Sequence, residues 1–132
     1  MAYRNFYGNQ SKYKAQKVEV DGITFDSKKE AKRYAELKLL EKAGEISCLV
    51  LQPSFVLIPA YYETVERYGA NGQKLKDKKV CVEKQCTYKA DFAYIDKDGN
   101  KIVEDVKGIK TEVYKIKKKL MLEKYGIRIK EV

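Results

Sequence analysis

The sequence predicts an α/β fold in which a mixed sheet is flanked by helices. Two segments carry apolar residues at helical spacing, and several shorter segments alternate or run apolar as strands do. The length of 132 residues fits one compact domain, and 44% hydrophobic residues are enough to build its core. We therefore expect residues 18–132 to form a single domain behind a basic N-terminal arm, residues 1–17.

The arm and the first hairpin come first in the chain. Residues 1–17 mix lysine, arginine and aromatic residues without a clear period, so a phosphate-binding arm and a frayed terminus are both open. The segments 18–20 and 23–25 then alternate around Asp21 and Gly22, a dipeptide typical of a tight turn. This pattern predicts a small β-hairpin.

The first helix is predicted from Ser27 to the stop at Gly44, with Ala31, Tyr34, Leu37 and Leu40 on its apolar face. Residues 48–62 then indicate a long strand, bent or at a sheet edge near Pro53. The polar residues 66–79 predict a connection or a hairpin tip. A β-rich stretch, 80–95, is followed by a turn at 96–100 and a strand over 101–107.

A second helix is predicted after Gly108, with Val113, Ile116 and Leu120 at helical spacing and Gly126 as its stop. A short last strand is expected around residues 127–132. The predicted order after the hairpin is therefore α-β-β-β-α-β.

The charge balance indicates a polyanionic partner. The chain has 28 Lys and Arg against 19 Asp and Glu, a formal net charge of +9, and clustered cations release counterions on binding a phosphate backbone. The absence of His excludes imidazole-based triads and zinc sites. Three cysteines without a CxxC pair predict a reducing, intracellular compartment, and no apolar run suggests a signal or membrane span.

One group of residues has the chemistry of a metal site. In the strand 101–107, Asp105 and Lys107 share a face, whereas Glu104 projects to the other side. Asp91 lies in the preceding strand, so the turn at 96–100 can bring its carboxylate beside that of Asp105. Two such carboxylates repel unless a cation lies between them, and hard oxygen ligands favour Mg²⁺ or Mn²⁺. The alternative is a solvated sheet face with a cross-strand ion pair.

Glu30 and several lysines have two interpretations each. The spacing of Ser27 and Glu30 is that of a capping box, yet Glu30 also borders the buried helix face and can point at the sheet. Lysines at the starts of the two helices either form solvated faces or hold a phosphate backbone. The lysines considered for nucleic-acid binding are Lys28, Lys29, Lys110, Lys115 and Lys118.

The order of a helical glutamate, an aspartate and an Asp-x-Lys motif resembles the PD-(D/E)XK nuclease superfamily, whose core is a restriction-endonuclease-like αβββαβ fold. The phrases FDSKKEAKRYAEL, LQPSFVL, YKADFAY and VEDVKGIKT are also similar to a small phage and prophage family of unknown function grouped with these nucleases. The likeness covers about residues 17–132. One departure is Ala90, which stands where the superfamily motif has a proline.

The resemblance implies Mg²⁺-dependent phosphodiester hydrolysis, with Mn²⁺ able to substitute. Asp91 and Asp105 would be metal ligands, the Val106 carbonyl a third, Lys107 would position the water, and Glu30 would assist through the metal or the water. It also implies a phage- or prophage-encoded protein in the bacterial cytoplasm. Its DNA substrate would be branched, such as a Holliday junction, or duplex, and a homodimer would make two symmetric nicks.

Two rival functions stay open from sequence. A basic DNA-binding protein that kept the fold without cleavage would use the arm and the second helix as a phosphate clamp. A basic structural protein of a phage particle is the other. Neither accounts for Asp91, Asp105 and Lys107, because a pure phosphate binder gains nothing from two acids.

Overall fold

The chain is a mixed α/β structure in the computed structural model, which describes residues 16–132. The predicted arm falls almost wholly on residues 1–15, outside this described range. The helices of the described part are α1 (Lys28–Lys42) and α2 (Glu112–Tyr125). The strands are β1 (Val18–Val20), β2 (Ile23–Phe25), β3 (Ile46–Leu51), β4 (Ser54–Ile58), β5 (Tyr61–Tyr68), β6 (Lys74–Glu83), β7 (Cys86–Lys89), β8 (Phe92–Asp96), β9 (Lys101–Asp105) and β10 (Lys130–Glu131).

The central sheet has four strands in the order β10-β9-β8-β3. Strand β8 runs antiparallel to both β3 and β9, whereas β10 is parallel to β9, so the predicted mixed sheet is confirmed. The predicted turn joins β8 to β9, with the Asp96 side chain accepting hydrogen bonds from the N–H groups of Asp98 and Asn100. Asp105 consequently lies at the end of β9 away from this turn.

The two helices cover opposite faces of the central sheet. Phe92 and Tyr94 of β8 pack in a core with α1, whereas Ala93 of the same strand packs in a second core with α2. This alternation is expected because successive side chains of a strand point to opposite faces. The prediction of a sheet flanked by helices is therefore confirmed. Neither helix of residues 16–132 has the length and apolar character that crossing a membrane requires.

The first hairpin and the first helix lie where the sequence predicts them. Asp21 and Gly22 have positive φ angles of 53° and 75°, as a tight primed turn requires. Ser27 caps α1 by accepting a hydrogen bond from the Glu30 N–H at 3.1 Å. Gly44, with φ 77°, follows the helix end. The capping residue and the glycine stop together fix the length of α1.

The predicted long strand over residues 48–62 is wrong, because this segment forms strands of three different sheets. β3 pairs with β8, β4 pairs with β7, and β5 pairs with β6. Gln52 has a left-handed φ of 49°, and the following Pro53 has no N–H to donate, so the ladder stops between β3 and β4. Cys48 also has a positive φ, 55°, at a register shift in β3.

Residues 66–79 are mostly strand, which corrects the prediction of a connection. β5 and β6 form a long antiparallel hairpin whose tip is only residues 69–73. Every residue of the two strands except Leu75 is exposed. The sequence did not reveal this hairpin because neither of its faces is buried, so its apolar residues follow no simple alternation.

Helix α2 ends where predicted but buries a different face. Thr111 caps its start and Gly126 ends it in the left-handed conformation. The buried residues are Tyr114 and Met121, whereas Val113 and Ile116 are 61% and 58% exposed. The predicted apolar face is therefore right for Leu120, which packs against the core, and wrong for Val113 and Ile116, because the helix is rotated so that Tyr114 meets the sheet.

Candidate active site

Asp91 lies in the short segment between β7 and β8 and not inside a strand. Its backbone is held on both sides, since its N–H donates to the Glu104 carbonyl at 3.2 Å and its carbonyl accepts from the Gln52 N–H at 2.9 Å. Its side-chain Oδ2 accepts the Val106 N–H at 2.7 Å. Three hydrogen bonds thus fix this carboxylate beside the end of β9.

Asp105 is the last residue of β9 and is only 2% exposed. Its Oδ2 accepts a hydrogen bond from the hydroxyl of Tyr88, a buried residue of β7. The same oxygen lies 3.2 Å from the Lys107 Nζ. Burial and the bond to Asp105 raise the pKa of the Tyr88 hydroxyl, so Tyr88 stays protonated and remains a donor.

The carboxyl groups of Asp91 and Asp105 are neighbours that interact, since Asp105 is among the groups that raise the pKa of Asp91. Burial first, and the neighbouring Asp105 second, raise the pKa of Asp91 to about 7, although the Val106 N–H opposes this shift. The structure therefore brings together the two acids that the sequence predicted would meet. It also places them in the unfavourable electrostatic situation that an added cation would relieve.

Lys107 is the cation already present at this pair. Besides its contact with Asp105, its Nζ lies 4.4 Å from the ring centroid of Tyr114 on α2. The Tyr114 ring is 6.4 Å from that of Tyr88. An aromatic face attracts an ammonium group, so the Tyr114 ring helps to hold Lys107 at a defined position next to Asp105.

Glu30 takes part in the cap of α1 through its backbone, and its side chain is buried as the second interpretation predicts. Its backbone N–H completes the cap of α1, while its side chain is buried, with the residue 6% exposed. Burial raises the pKa of Glu30, the charges of Asp26 and Asp105 raise it further, and the charge of Lys107 lowers it. The carboxyl group of Glu30 is therefore close enough to the Asp105–Lys107 pair to be coupled to it.

Glu104 is the neighbour of Asp105 but belongs to a different interaction. It is fully buried, and its Oε1 accepts hydrogen bonds from the Arg33 Nε and Nη2 at 3.0 and 2.7 Å. Arg33 lies on α1, so this ion pair ties the helix to β9 on the opposite face of the sheet from Asp105. The prediction that only Asp105 shares a face with Lys107 agrees with these contacts.

A groove of about 550 Å³ lies between the start of α1 and the segment that follows β9. Its lining includes Glu30 of the four predicted catalytic residues, together with Val106 and Gly108. Lys29 and Asp26 also line it. We call the carboxyl groups of Asp91, Asp105 and Glu30 the acidic group. The groove therefore gives solvent and ligands a route to one side of the acidic group.

The predicted nucleic-acid-binding lysines have different surroundings. Lys110 and Lys118 both contact the Glu131 carboxylate, which lowers the pKa of Glu131 to about 2, and Lys115 lies 3.1 Å from Glu112. Lys28 and Lys29 are exposed at the start of α1. Lys29 is the lysine of this set that lines the groove, and the predicted role of all five stays a prediction.

The acidic group supplies only some of the ligands that a hard divalent ion needs. A bound substrate would have to supply others. Among residues 16–132, no three His, Cys, Asp or Glu side chains converge as a complete metal cage. The donors that do meet are the Asp91 and Asp105 carboxylates, with Glu30 coupled to them. Mg²⁺ is commonly held by one or two carboxylates plus substrate phosphates, so this donor set fits an ion that arrives with its substrate.

Sequence reasoning missed Tyr88, Tyr114 and the backbone of Gln52. Tyr88 and Tyr114 contact the site from another sheet and from α2, and Gln52 contacts it from a segment that is distant along the chain. No spacing rule predicts such contacts, because a tyrosine in the sequence can equally well be a core residue without a role in a site. The one available signal was the position of Tyr88, three residues before Asp91.

Comparison with known proteins gives one match. The family described as "Protein of unknown function (DUF1064)" matches residues 10–131. No curated protein and no solved structure matches the chain.

Proposed function

We propose that the chain, which belongs to the DUF1064 family, is a metal-dependent DNA endonuclease of the PD-(D/E)XK type. The reaction is hydrolysis of a phosphodiester bond, with Mg²⁺ as the natural ion and Mn²⁺ as a substitute. Branched DNA, such as a Holliday junction, is the substrate we propose first. A homodimer would supply the two sites that paired nicks require.

The observation that carries this proposal is the geometry of Asp91, Asp105 and Lys107. Two interacting carboxyl groups at a partly buried position, with an ammonium 3.2 Å from one of them, are costly to bury without a ligand. Such an arrangement is typical of sites where function, and not stability, selects the residues. A binding surface for phosphates alone would repel its ligand with this pair.

The order of elements gives a second line of support. When the hairpins β4–β7 and β5–β6 are treated as an insertion, the remaining order is α1-β3-β8-β9-α2-β10. This is the αβββαβ order that the superfamily resemblance implies. Asp91 then precedes the second strand of this core, and Asp105 ends the third.

Each site residue has a defined part in the proposed reaction. Asp91 and Asp105 would hold the ion, which when bound supplies the positive charge that polarises the phosphodiester and stabilises the leaving oxygen. The Val106 N–H and the Tyr88 hydroxyl keep these two carboxylates oriented. Lys107 would orient the attacking water and neutralise charge that develops on the phosphate. Glu30 would assist from α1.

The alternative is a basic DNA-binding protein that has the fold without cleavage. Its support is the net charge of +9 and the exposed lysines at the start of α1. It leaves the contact between Asp91 and Asp105 without a purpose, which is why we rank it second.

The decisive experiment incubates the protein with a labelled four-way junction, a flap, a linear duplex and a single strand. Each is tested with Mg²⁺, Mn²⁺ or EDTA. We expect cutting that requires the ion and that falls by at least about a hundredfold in Asp105→Asn and Lys107→Ala, while binding in EDTA is retained. Asp98→Asn and Lys97→Ala, at the far end of the same hairpin, make equal charge changes and should cut like the parent.

Two outcomes would contradict the proposal. Undiminished cutting by Asp105→Asn would remove this site from the chemistry. Salt-sensitive binding to all four substrates, with no cutting under any ion, would favour the DNA-binding alternative.

A further inference from the structure

The β5–β6 hairpin, residues 61–83, is a two-stranded ribbon that no other described sheet extends. Its strands pair only with each other over residues 16–132, and fifteen or more residues project into solvent along it. An isolated two-stranded ribbon is at best marginally stable in water, because it has no core of its own. A long ribbon of this kind is expected to gain stability from a partner.

Exposed side chains on the ribbon are large. Six tyrosines and valines have between 39% and 61% of their surface in solvent. They are Tyr61, Tyr62, Val65, Tyr68, Val80 and Val82. So many large exposed side chains on one hairpin mark a surface that contacts something else.

Charge on the ribbon is divided along its length. The distal part, residues 67–79, carries five basic residues and one acidic residue, whereas the base carries three glutamates and no lysine or arginine. The basic residues are Arg67, Lys74, Lys76, Lys78 and Lys79. Among the ion pairs of the described residues, only Lys74 of this set has a partner, Glu66 at 3.7 Å. The distal half therefore presents cations that are available to a polyanion.

The ribbon is linked to the candidate active site through the β4–β7 pair. That pair starts at Ser54 opposite Lys89 and ends at Ile58 opposite Cys86. Lys89 is two residues from Asp91, and the ribbon begins three residues beyond Ile58. The β4–β7 pair therefore links the segment that carries Asp91 to the base of the ribbon, and the distal cations follow beyond that base.

We propose that this ribbon binds DNA by lying in a groove of the duplex next to the cutting site. A two-stranded β-ribbon fits the major groove of B-DNA, and ten residues of strand span about 34 Å, roughly one turn of the duplex. Lysines on the distal half contact phosphates on both sides of the groove, and Tyr68 lies among them. The inference rests on the proposed action on DNA, and it assigns the binding of the duplex to the ribbon.

A second copy of the chain is the other occupant that such a ribbon suggests, and the charges disfavour it. Lys78 and Lys79 are adjacent in β6 and so point to opposite faces, opposite Val65 and Thr64 respectively. Neither face is purely apolar, and stacking two ribbons would bring like charges together. Lysines along β6 also discourage pairing of its free edge with another strand.

The test measures DNA binding in EDTA across a salt series for a triple variant, Lys76→Gln/Lys78→Gln/Lys79→Gln. We expect binding about ten- to a hundredfold weaker, and a slope of log affinity against log salt that is lower by about two to three. The matched control is Lys42→Gln/Lys97→Gln/Lys101→Gln, an equal charge change at the end of the sheet away from Asp105. It should change affinity and slope much less.

A second variant replaces residues 65–78 with Asn-Gly, which closes the hairpin directly after Thr64 opposite Lys79. We expect it to bind DNA as weakly as the triple variant, and to keep the wild-type response of its unfolding temperature to Mn²⁺. The response to Mn²⁺ depends on the acidic group and not on the ribbon. It therefore distinguishes the loss of the ribbon from damage to the site.

Four outcomes decide the inference. DNA binding that depends on the ribbon, without any cutting, would support the role of the ribbon and contradict the nuclease proposal. Metal-dependent cutting with ribbon variants that bind like the control would support the nuclease proposal and contradict the role of the ribbon. If ribbon variants lose a dimer in sedimentation while DNA binding is unchanged, the ribbon binds a second copy of the chain, and its role in DNA binding is contradicted. Selective loss of affinity and slope in both ribbon variants would establish it.

Discussion

At the scale of single residues, the candidate site places charges where they cost stability. Asp91 and Asp105 lie together at the edge of a core, and the Lys107 ammonium, the Val106 N–H and the Tyr88 hydroxyl compensate them in part. A protein selected for stability alone would replace such a pair with a hydrogen-bonded neutral residue. The cost is therefore best explained by a ligand.

The first prediction concerns the pH dependence of Asp91 in the absence of metal. Because the pKa of Asp91 rises from 3.8 to about 7 on folding, the folded chain holds a proton there that the unfolded chain has released. Stability is therefore lost as the pH rises through this range. Between pH 5 and pH 8 we expect the wild type to lose roughly 2 kcal/mol relative to Asp91→Asn, measured by urea unfolding in EDTA.

Mn²⁺ should reverse this difference, because it binds the folded wild type and not Asp91→Asn. Asp98→Asn, in the exposed turn, serves as the control and should follow the wild type at every pH. Parallel pH profiles for the wild type and Asp91→Asn would show that Asp91 does not hold the extra proton.

The second prediction concerns Tyr88, whose hydroxyl donates to Asp105 inside the protein. Tyr88→Phe should lower the free energy of unfolding by about 1–2 kcal/mol, since it leaves a buried acceptor without its donor. It should also weaken the stabilisation by Mn²⁺, because Asp105 is less well oriented. Tyr125→Phe removes an exposed hydroxyl bonded to the Val56 carbonyl and should cost less. Equal losses in the two variants would contradict the role given to Tyr88.

At the scale of elements, the site is held by the ends of strands and by two helices that approach from opposite faces. Glu30 comes from α1, and Tyr114 of α2 lies against Lys107. Strand β9 carries Asp105 toward α2 and Glu104 toward α1. The alternation of one short strand thus separates an ion pair that supports the fold from an acid that supports the site.

The third prediction concerns that supporting ion pair. Arg33→Met should lower the free energy of unfolding by about 3 kcal/mol, because Glu104 is fully buried and would lose its only cationic partner among the described residues. Glu36→Gln removes the exposed partner of Arg33 and should cost less than about 1 kcal/mol. Chemical denaturation of both variants measures the difference. A small effect of Arg33→Met would mean that Glu104 is stabilised in another way.

The fourth prediction concerns the end of α2. Gly126 has a left-handed φ of 66°, and an added Cβ would meet no atom within 4 Å, so the cost of Gly126→Ala is conformational alone. We expect a loss of about 1 kcal/mol in thermal unfolding. Gly108→Ala also meets no atom within 4 Å and has no positive φ, so its stability should be unchanged or slightly higher. Equal unfolding temperatures for the two variants would contradict this account.

At the scale of the whole molecule, stability is unevenly distributed. The central sheet is covered by a core on each face, whereas the β5–β6 ribbon is exposed along both strands. Local opening costs little where few apolar contacts must be broken. The part proposed to grip DNA is thus the part least restrained by the rest of the chain.

The fifth prediction follows from this distribution. In hydrogen exchange followed by mass spectrometry, amides of β8 and β9 should exchange at least about a hundredfold more slowly than those of β5 and β6. Adding a DNA duplex in EDTA should slow exchange in the ribbon and leave β8 and β9 unchanged. Similar protection of both regions in the free protein would show that the ribbon is packed in solution.

The sequence was sufficient wherever a local rule decides the structure. The hairpin at Asp21 and Gly22, the cap at Ser27 and the stop at Gly126 all depend on the dihedral angles or hydrogen bonds of neighbouring residues. The meeting of Asp91 and Asp105 was predictable for the same reason, because a short turn links the segments that carry them. The sequence-based prediction was wrong where apolar residues are exposed in the structure. Val113 and Ile116 of α2 are the example, because their spacing predicted a buried face.

The sequence by itself determined the mixed α/β class, the presence of the two helices and the turn that brings Asp91 near Asp105. Each of these depends on periodicity or on spacing along one hairpin. Only the tertiary structure decided that Tyr88 and Tyr114 support the site, that α2 turns Tyr114 inward, and that residues 61–83 project as a ribbon. These features depend on how separate strands and helices pack against one another, and no local pattern of residues encodes which surface of another element a side chain will meet.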